Sequence, residues 1–249
     1  MRPRTPQLFL IIVVWTLAAT LPVSGEPVLN KTGEQLGIGD ALYAEGRYDE
    51  ALAAYERVIE IGPASALAWV KQGNVYYKTG NYAEAKRAYE ESIRIDPAYP
   101  DAWLGLGNAQ QGLGNYKDAV FAYEQVTELD PSSADAYYNK GLAYQEMGDE
   151  KRAYAAFDRV TFLEPQNAYA WSRRGVALYN MGLYSEAEES FGRALAIDKE
   201  LGEAINYSEH TKERLSESVI KYPIPFPPAI PLAGLFIAFI VQLYRHRER

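Results

Sequence analysis

The chain has 249 residues, no cysteine and two histidines, His210 and His246. Disulfides, thiol catalysis and cysteine-ligated metals are therefore excluded, and a histidine-rich metal site or a Ser-His-Asp triad is not expected. The formal charge is −8, and 20 basic and 32 acidic residues lie between the two basic ends. This acidic balance argues against a nucleic-acid partner, because phosphate binding needs a basic face.

The first 25 residues have the composition of a secretory signal. Arg2 and Arg4 precede an apolar run from Leu8 to Leu21, and the small residues Val23-Ser24-Gly25 follow. This order is typical of a signal peptide, so we predict one over residues 1–25, cleaved after Gly25. An uncleaved N-terminal anchor is the alternative, although the run is shorter than the roughly 20 residues of a spanning helix.

A glycine recurs every 34 residues from Gly39 to Gly175. When this glycine is set at position eight, five units follow in phase, at residues 32–65, 66–99, 100–133, 134–167 and 168–201. Position fifteen is always glycine, position twenty is always alanine, position twenty-four is tyrosine or phenylalanine, and position thirty-two is proline in the first four units. A fixed period of this size indicates a solenoid of stacked units.

Each unit carries two apolar stripes at helical spacing, which predicts a pair of helices. The glycine at position fifteen suits the left-handed residue that ends a first helix, and proline stops the second helix. One pair cannot bury its apolar face alone, so neighbouring units are expected to stack.

The signature residues of one unit, Trp69, Gly73, Tyr82, Ala85 and Pro97, resemble those of the tetratricopeptide repeat (TPR) family. Five units in phase cover about two thirds of the chain, with departures such as Gln35 and Glu150 at the tryptophan and tyrosine positions. The resemblance implies an all-α TPR α-solenoid, a right-handed superhelix of helix-turn-helix repeats. Residues 202–221 are predicted as a C-terminal capping helix.

The last 28 residues have three parts. Residues 222–231 are rich in proline and predict an extended spacer, residues 232–244 are apolar, and residues 245–249 form a basic tail. We predict a transmembrane segment with a cytoplasmic tail. The same order also resembles archaeal C-terminal sorting signals, which implies enzymatic removal of the tail; a soluble amphipathic end is the third alternative. The repeats are expected outside the cell, at the membrane or cell surface.

The sequence contains no phosphate-binding loop, nucleophile elbow or metal-ligand pattern, so we predict neither an enzyme nor a bound cofactor or metal. The predicted function is a protein–protein interaction scaffold that is exported to the cell surface and binds extended peptide segments in a concave groove. The alternative is a structural or assembly component of the cell envelope that self-associates through its repeats.

In TPR proteins the first helix of each repeat lines the groove. The resemblance places the peptide-binding residues at Lys71, Asn74, Tyr77, Asn108, Gln111, Tyr138, Asn139, Arg173 and Tyr179. Amides can hold a peptide backbone, tyrosines are common interface anchors, and the two cations suit a carboxylate. The lysine of the family's carboxylate clamp is missing. Gly105 and Gly112 are predicted to face the groove and to leave a hollow between Tyr77 and Tyr138 for a bulky ligand side chain.

Overall fold

The computed structural model describes residues 26–221, with side chains from residue 31 to residue 217. This part of the chain contains eleven α-helices and no strand, which confirms the prediction of an all-α solenoid. It divides into two compact units, and the first ends at Pro165 in the sequence and the second begins at Gln166. The predicted signal peptide, proline-rich spacer, apolar segment and basic tail all lie outside the described residues.

The first unit consists of four helix pairs, each joined by a turn of three residues. The second helix of each pair packs on the first helix of the next, and successive first helices also touch one another. The helices are α1 (Glu26–Ala44), α2 (Tyr48–Ile61), α3 (Ala66–Lys78), α4 (Tyr82–Ile95), α5 (Pro100–Gly112), α6 (Tyr116–Leu129), α7 (Ala134–Glu146) and α8 (Glu150–Leu163).

The second unit contains one further pair and a long final helix. The pair consists of α9 (Ala168–Asn180) and α10 (Tyr184–Ile197), and the final helix is α11 (Gly202–Lys221). Helix α11 packs against both helices of the pair. None of the helices between residues 26 and 221 has the length and apolar character needed to cross a membrane.

Each first helix ends in the same local structure, shown here by the second repeat. Gly80 has φ of 79°, its N–H donates to the carbonyl of Tyr77 at 3.0 Å, and the N–H of Asn81 donates to the carbonyl of Tyr76 at 2.8 Å. These two bonds form a Schellman motif, which requires a left-handed residue that glycine adopts at little cost. The glycine at position fifteen has φ between 73° and 79° in every repeat, so the chain turns in the same way five times.

The core of each repeat is an aromatic ring packed on a glycine. A Cβ atom on Gly73 would lie 2.7 Å from Cε1 of Tyr89, which is closer than atoms in contact allow. The ring at position twenty-four is almost completely buried in every repeat, at Tyr55, Tyr89, Tyr123, Phe157 and Phe191. The alanine at position twenty has no exposed surface in any repeat. Small residues at positions eight and twenty therefore let the two helices approach around one ring.

Candidate functional site

The first helices α1, α3, α5 and α7 share one surface of the first unit, here named the groove face. Hydrogen bonds run along it from repeat to repeat. The hydroxyl of Tyr55 donates to Oδ1 of Asp40 at 2.7 Å, and Nζ of Lys71 in the next repeat lies 3.0 Å from the same oxygen. Burial of the hydroxyl, followed by its bond to the carboxylate, raises the pKa of Tyr55 well above its usual range. Lys71 is thus paired within the chain.

The same arrangement recurs with amides between the third and fourth repeats. The hydroxyl of Tyr123 donates to Oδ1 of Asn108 at 2.8 Å, and Nδ2 of Asn139 donates to the same oxygen at 3.1 Å. The hydroxyl also lies 3.0 Å from Oε1 of Gln111, but its single proton satisfies one acceptor at a time. Burial raises the pKa of Tyr123 well above its usual range, so this hydroxyl stays neutral at physiological pH.

Between the second and third repeats, the hydrogen bond from the residue at position six is missing. The hydroxyl of Tyr89 donates to Oδ1 of Asn74 at 2.7 Å, but position six of the third repeat is Gly105, which has no side chain to complete the row. Gly105 is buried, and a Cβ atom there would collide with the Tyr89 ring.

The prediction that Gly105 faces the groove and forms a hollow beside Tyr138 is therefore wrong. The buried ring of Tyr89 occupies the space next to Gly105. The Tyr138 ring is turned to the second helix of its own repeat, where it makes an edge contact with Phe157 at 5.6 Å between centroids. A lone glycine in a helix can mark either an opening or a close packing contact, and here it marks contact.

A pocket of about 420 Å³ lies on the groove face at the C-terminal ends of α3, α5 and α7. It is lined by Tyr77, Asn108, Gln111, Gly112, Tyr116, Asn139 and Glu146. Gly112 lines this pocket, but a Cβ atom on it would lie 2.8 Å from the ring of Tyr82, so its missing side chain also allows a close packing contact. Four of the nine predicted groove residues also line it, namely Tyr77, Asn108, Gln111 and Asn139.

Two lining residues were missed from the sequence. Glu146 is at position thirteen, one of the positions that line the groove in this family, so the register contained the signal. Tyr116 is at position seventeen, where tyrosine is part of the repeat signature and not one of the predicted groove positions. It begins α6, and the short turn before it brings the ring beside the end of α5.

The other five predicted residues lie outside the pocket lining. Lys71, Asn74 and Tyr138 belong to the first unit and make the contacts described above. Arg173 and Tyr179 belong to the second unit. There Nη1 of Arg173 pairs with Oε1 of Glu203 at 3.2 Å, and Tyr179 makes edge contacts with two neighbouring tyrosines, Tyr184 and Tyr207. Between residues 26 and 221 no group of three or more metal-binding side chains is placed to hold a metal ion.

Sequence profiles of known families match the repeats directly. Residues 39–80, 73–114 and 112–148 match a profile described as TPR repeat. Residues 134–167 and 168–201 match profiles described as tetratricopeptide repeat, so that the matches together cover well over half of the chain. The chain belongs to the tetratricopeptide repeat family.

Solved structures agree with this TPR assignment. The crystal structure of the MamA protein is 26% identical, with a TM-score of 0.62 over 80% of this chain and 98% of that one. YrrB, described as a TPR protein with an unusual peptide-binding site, is 24% identical, with a TM-score of 0.63 over 74% and 98%. MamA from Desulfovibrio magneticus RS-1 is 20% identical, with a TM-score of 0.64 over 69% and 97%. The last two show the fold alone. No curated protein matches the chain.

Proposed function

We propose that this TPR protein is a non-enzymatic scaffold that binds an extended peptide segment of a protein partner in the pocket of the groove face. The observation that carries the proposal is the lining of that pocket, which combines three carboxamides with two tyrosine rings. TPR proteins in general are scaffolds that bind protein or peptide partners. The lining of the pocket supports it as the binding site for such a partner.

The carboxamides have hydrogen-bonding capacity left for a ligand. Oδ1 of Asn108 accepts from Asn139 and Tyr123, but Nδ2 of Asn108 and Oδ1 of Asn139 make no bond within the described residues. An extended peptide has free N–H and C=O groups that need an acceptor and a donor respectively. Nδ2 of Asn108 supplies a donor, and Oδ1 of Asn139 supplies an acceptor.

The bonds within the groove face also hold the amides in place before a ligand arrives. Asn108 is held between Tyr123 and Asn139, and the Tyr123 ring is fully buried. Side chains that are already ordered lose less conformational entropy on binding, at roughly 0.5–1.5 kcal/mol for each side chain that does not have to be immobilised. The pocket is therefore suited to a short segment that offers few contacts.

Selection from a library of random 12-residue peptides displayed on phage tests this proposal. Peptides enriched on the full-length protein are synthesised, and their dissociation constants are measured for the wild type and for Asn139→Ala. We expect binding to weaken about tenfold or more, because the variant loses a ligand bond and releases Asn108. Gln125→Ala is the control, since Gln125 lies on α6 and bonds only to Glu128. Equal affinities for Asn139→Ala and the wild type would contradict the proposal.

The location of the scaffold is a second part of the proposal. The order of charged, apolar and small residues at the N-terminus supports export, and the apolar stretch before a basic tail supports attachment to the membrane or cell surface. The intact mass of the protein from native membranes is the test. A mass that starts near Glu26 and includes Arg249 indicates a cleaved signal with a permanent anchor. A mass that ends near the proline-rich stretch indicates processing, and an unshortened cytoplasmic chain contradicts export.

Self-association as an envelope component is the alternative function, and one observation favours it. Two phenylalanines on second helices of the first unit are largely exposed: Phe162 is 72% exposed and Phe121 is 56% exposed, although Trp103 makes an edge contact with the Phe121 ring and Arg159 lies over the Phe162 ring. An assembly component would use such rings as part of a contiguous apolar contact patch. Sedimentation velocity at increasing concentration distinguishes the functions, since an assembly component should associate equally well when Asn139 is replaced by alanine.

A further inference from the structure

The pocket of the groove face has one charged group. Glu146 is the only acidic or basic residue in the lining, and its exposed carboxylate has no ion pair or hydrogen bond within the described residues. The two cations that were predicted to meet a ligand carboxylate are already paired, Lys71 with Asp40 and Arg173 with Glu203. The unpaired charge in the pocket is therefore negative.

The positions of the lining residues strengthen this negative character. Tyr77 is the penultimate residue of α3, Gln111 and Gly112 are the last two residues of α5, and Glu146 is the last residue of α7. Three helix C-termini thus converge on one pocket. Each C-terminus carries about −0.5 of an elementary charge from aligned peptide dipoles, an effect confined to the last turn. A cation in the pocket is favoured by the backbone as well as by the carboxylate.

The aromatic members of the lining favour the same kind of ligand. Tyr77 and Tyr116 both border the pocket, and the faces of aromatic rings attract cations, guanidinium groups more often than ammonium groups. The oxygens of the carboxamides can accept further hydrogen bonds from a guanidinium group, which has five N–H donors in one plane. The acidic surface of the whole chain adds long-range attraction for a basic segment.

We infer that the pocket binds an arginine side chain of the partner, held by the carboxylate of Glu146 between Tyr77 and Tyr116. The inference rests on the proposed function, because it specifies the chemistry of the peptide that the groove face binds. Lys78 directly follows Tyr77 at the end of α3, but it is exposed and does not line the pocket. It therefore provides a control of opposite sign.

The probe is a set of three peptides, acetyl-Ala-Ala-Xaa-Ala-Ala-amide, with arginine, citrulline or glutamate at Xaa. Citrulline has nearly the shape of arginine without its charge. The isotopically labelled full-length protein in a neutral detergent is titrated with each peptide, and the NMR shifts of the Asn108, Gln111 and Asn139 side-chain amides give the dissociation constants. We expect the arginine peptide to bind about three- to fivefold more tightly than the citrulline peptide, as is usual for partly exposed ion pairs.

Charge-matched variants locate the effect. Glu146→Gln should bring the ratio of the citrulline and arginine dissociation constants close to one. Glu60→Gln removes the same charge from an exposed site on α2 outside the pocket and should keep the ratio. Lys78→Gln should raise the affinity for the arginine peptide slightly. These results together support the inference.

Two outcomes overturn it in different ways. If the citrulline or glutamate peptide binds as tightly as the arginine peptide, or if Glu146→Gln behaves like Glu60→Gln, the arginine inference is wrong and the peptide-binding groove remains. If none of the three peptides shifts the amides of Asn108 and Asn139, the inference and the proposed function both fail.

Discussion

Replacement of Gly105 by alanine tests the packing of the groove face, because helix propensity and core packing predict changes of opposite sign in the free energy of unfolding. Glycine inside a helix is about 0.8–1.0 kcal/mol less favourable than alanine, so helix propensity alone predicts that the variant is more stable. In the structure, however, Gly105 is buried and its new Cβ atom would collide with the ring of Tyr89.

The Tyr89 ring cannot move away from a new side chain at position 105 without a loss of stability. Gly73 also packs against the ring, where a Cβ atom would be only 2.7 Å from Cε1 of Tyr89, and the Tyr89 hydroxyl donates to Asn74 at 2.7 Å. Overpacking of a core costs about 1–3 kcal/mol, and the loss of the Tyr89–Asn74 bond costs about 0.5–1.5 kcal/mol. After the gain in propensity is subtracted, we expect Gly105→Ala to destabilise the protein by about 1–3 kcal/mol.

Gly37 provides a matched control. It occupies the same position six in the first repeat, lies in α1 and is exposed, and a Cβ atom there would have no neighbour within 4 Å. Gly37→Ala should therefore show the propensity gain alone, with a free energy of unfolding about 0.5–1 kcal/mol higher than that of the wild type. The two substitutions are chemically identical, so the difference between them measures the packing contact.

The assay is urea unfolding of the full-length chain. Circular dichroism at about 222 nm reports the helix content, and the data are analysed by linear extrapolation. Amide hydrogen exchange in α4 and α5 shows whether the loss is local, as expected when each repeat depends on its neighbours. If Gly105→Ala is as stable as Gly37→Ala, the argument that the Tyr89 ring is packed tightly against Gly73 and Gly105 is refuted.

Three further substitutions test other parts of the structure. Tyr123→Phe keeps the buried ring but removes the bond to Asn108, so urea unfolding should show a loss of about 1 kcal/mol at neutral pH. Because the folded pKa of Tyr123 is raised, its contribution is present below about pH 10 and lost as the pH rises further, so the variant should lose less stability than the wild type in alkaline titrations. Lys71→Met breaks a partly exposed pair with Asp40 and should cost under about 1 kcal/mol, less at 1 M salt; a larger loss in unfolding experiments would contradict this assignment. Phe162→Ser should change the free energy of unfolding by no more than about 0.5 kcal/mol, and a larger loss would show that the ring is packed.

Much of the site was predictable from the register of the repeats. Position nine of one repeat and position six of the next form pairs separated by 31 residues, as in Lys71 with Asp40 and Asn139 with Asn108. The sequence placed these residues on one face, but it did not show that they bond to each other. Lys71 was consequently predicted as a ligand contact, whereas the structure gives it a partner within the chain.

The sequence by itself determined the helices and their register. The stripes at helical spacing and the turn at Gly80 depend on residues a few positions apart, and local bonding fixes them wherever the repeat stands in the fold. Only the tertiary structure decided what lies beside Gly105, because the neighbouring ring of Tyr89 belongs to the preceding repeat. It also brought Glu146 and Tyr116 to one pocket. Contacts between repeats depend on how helices distant in sequence stack, and a residue's own periodicity carries no information on that geometry.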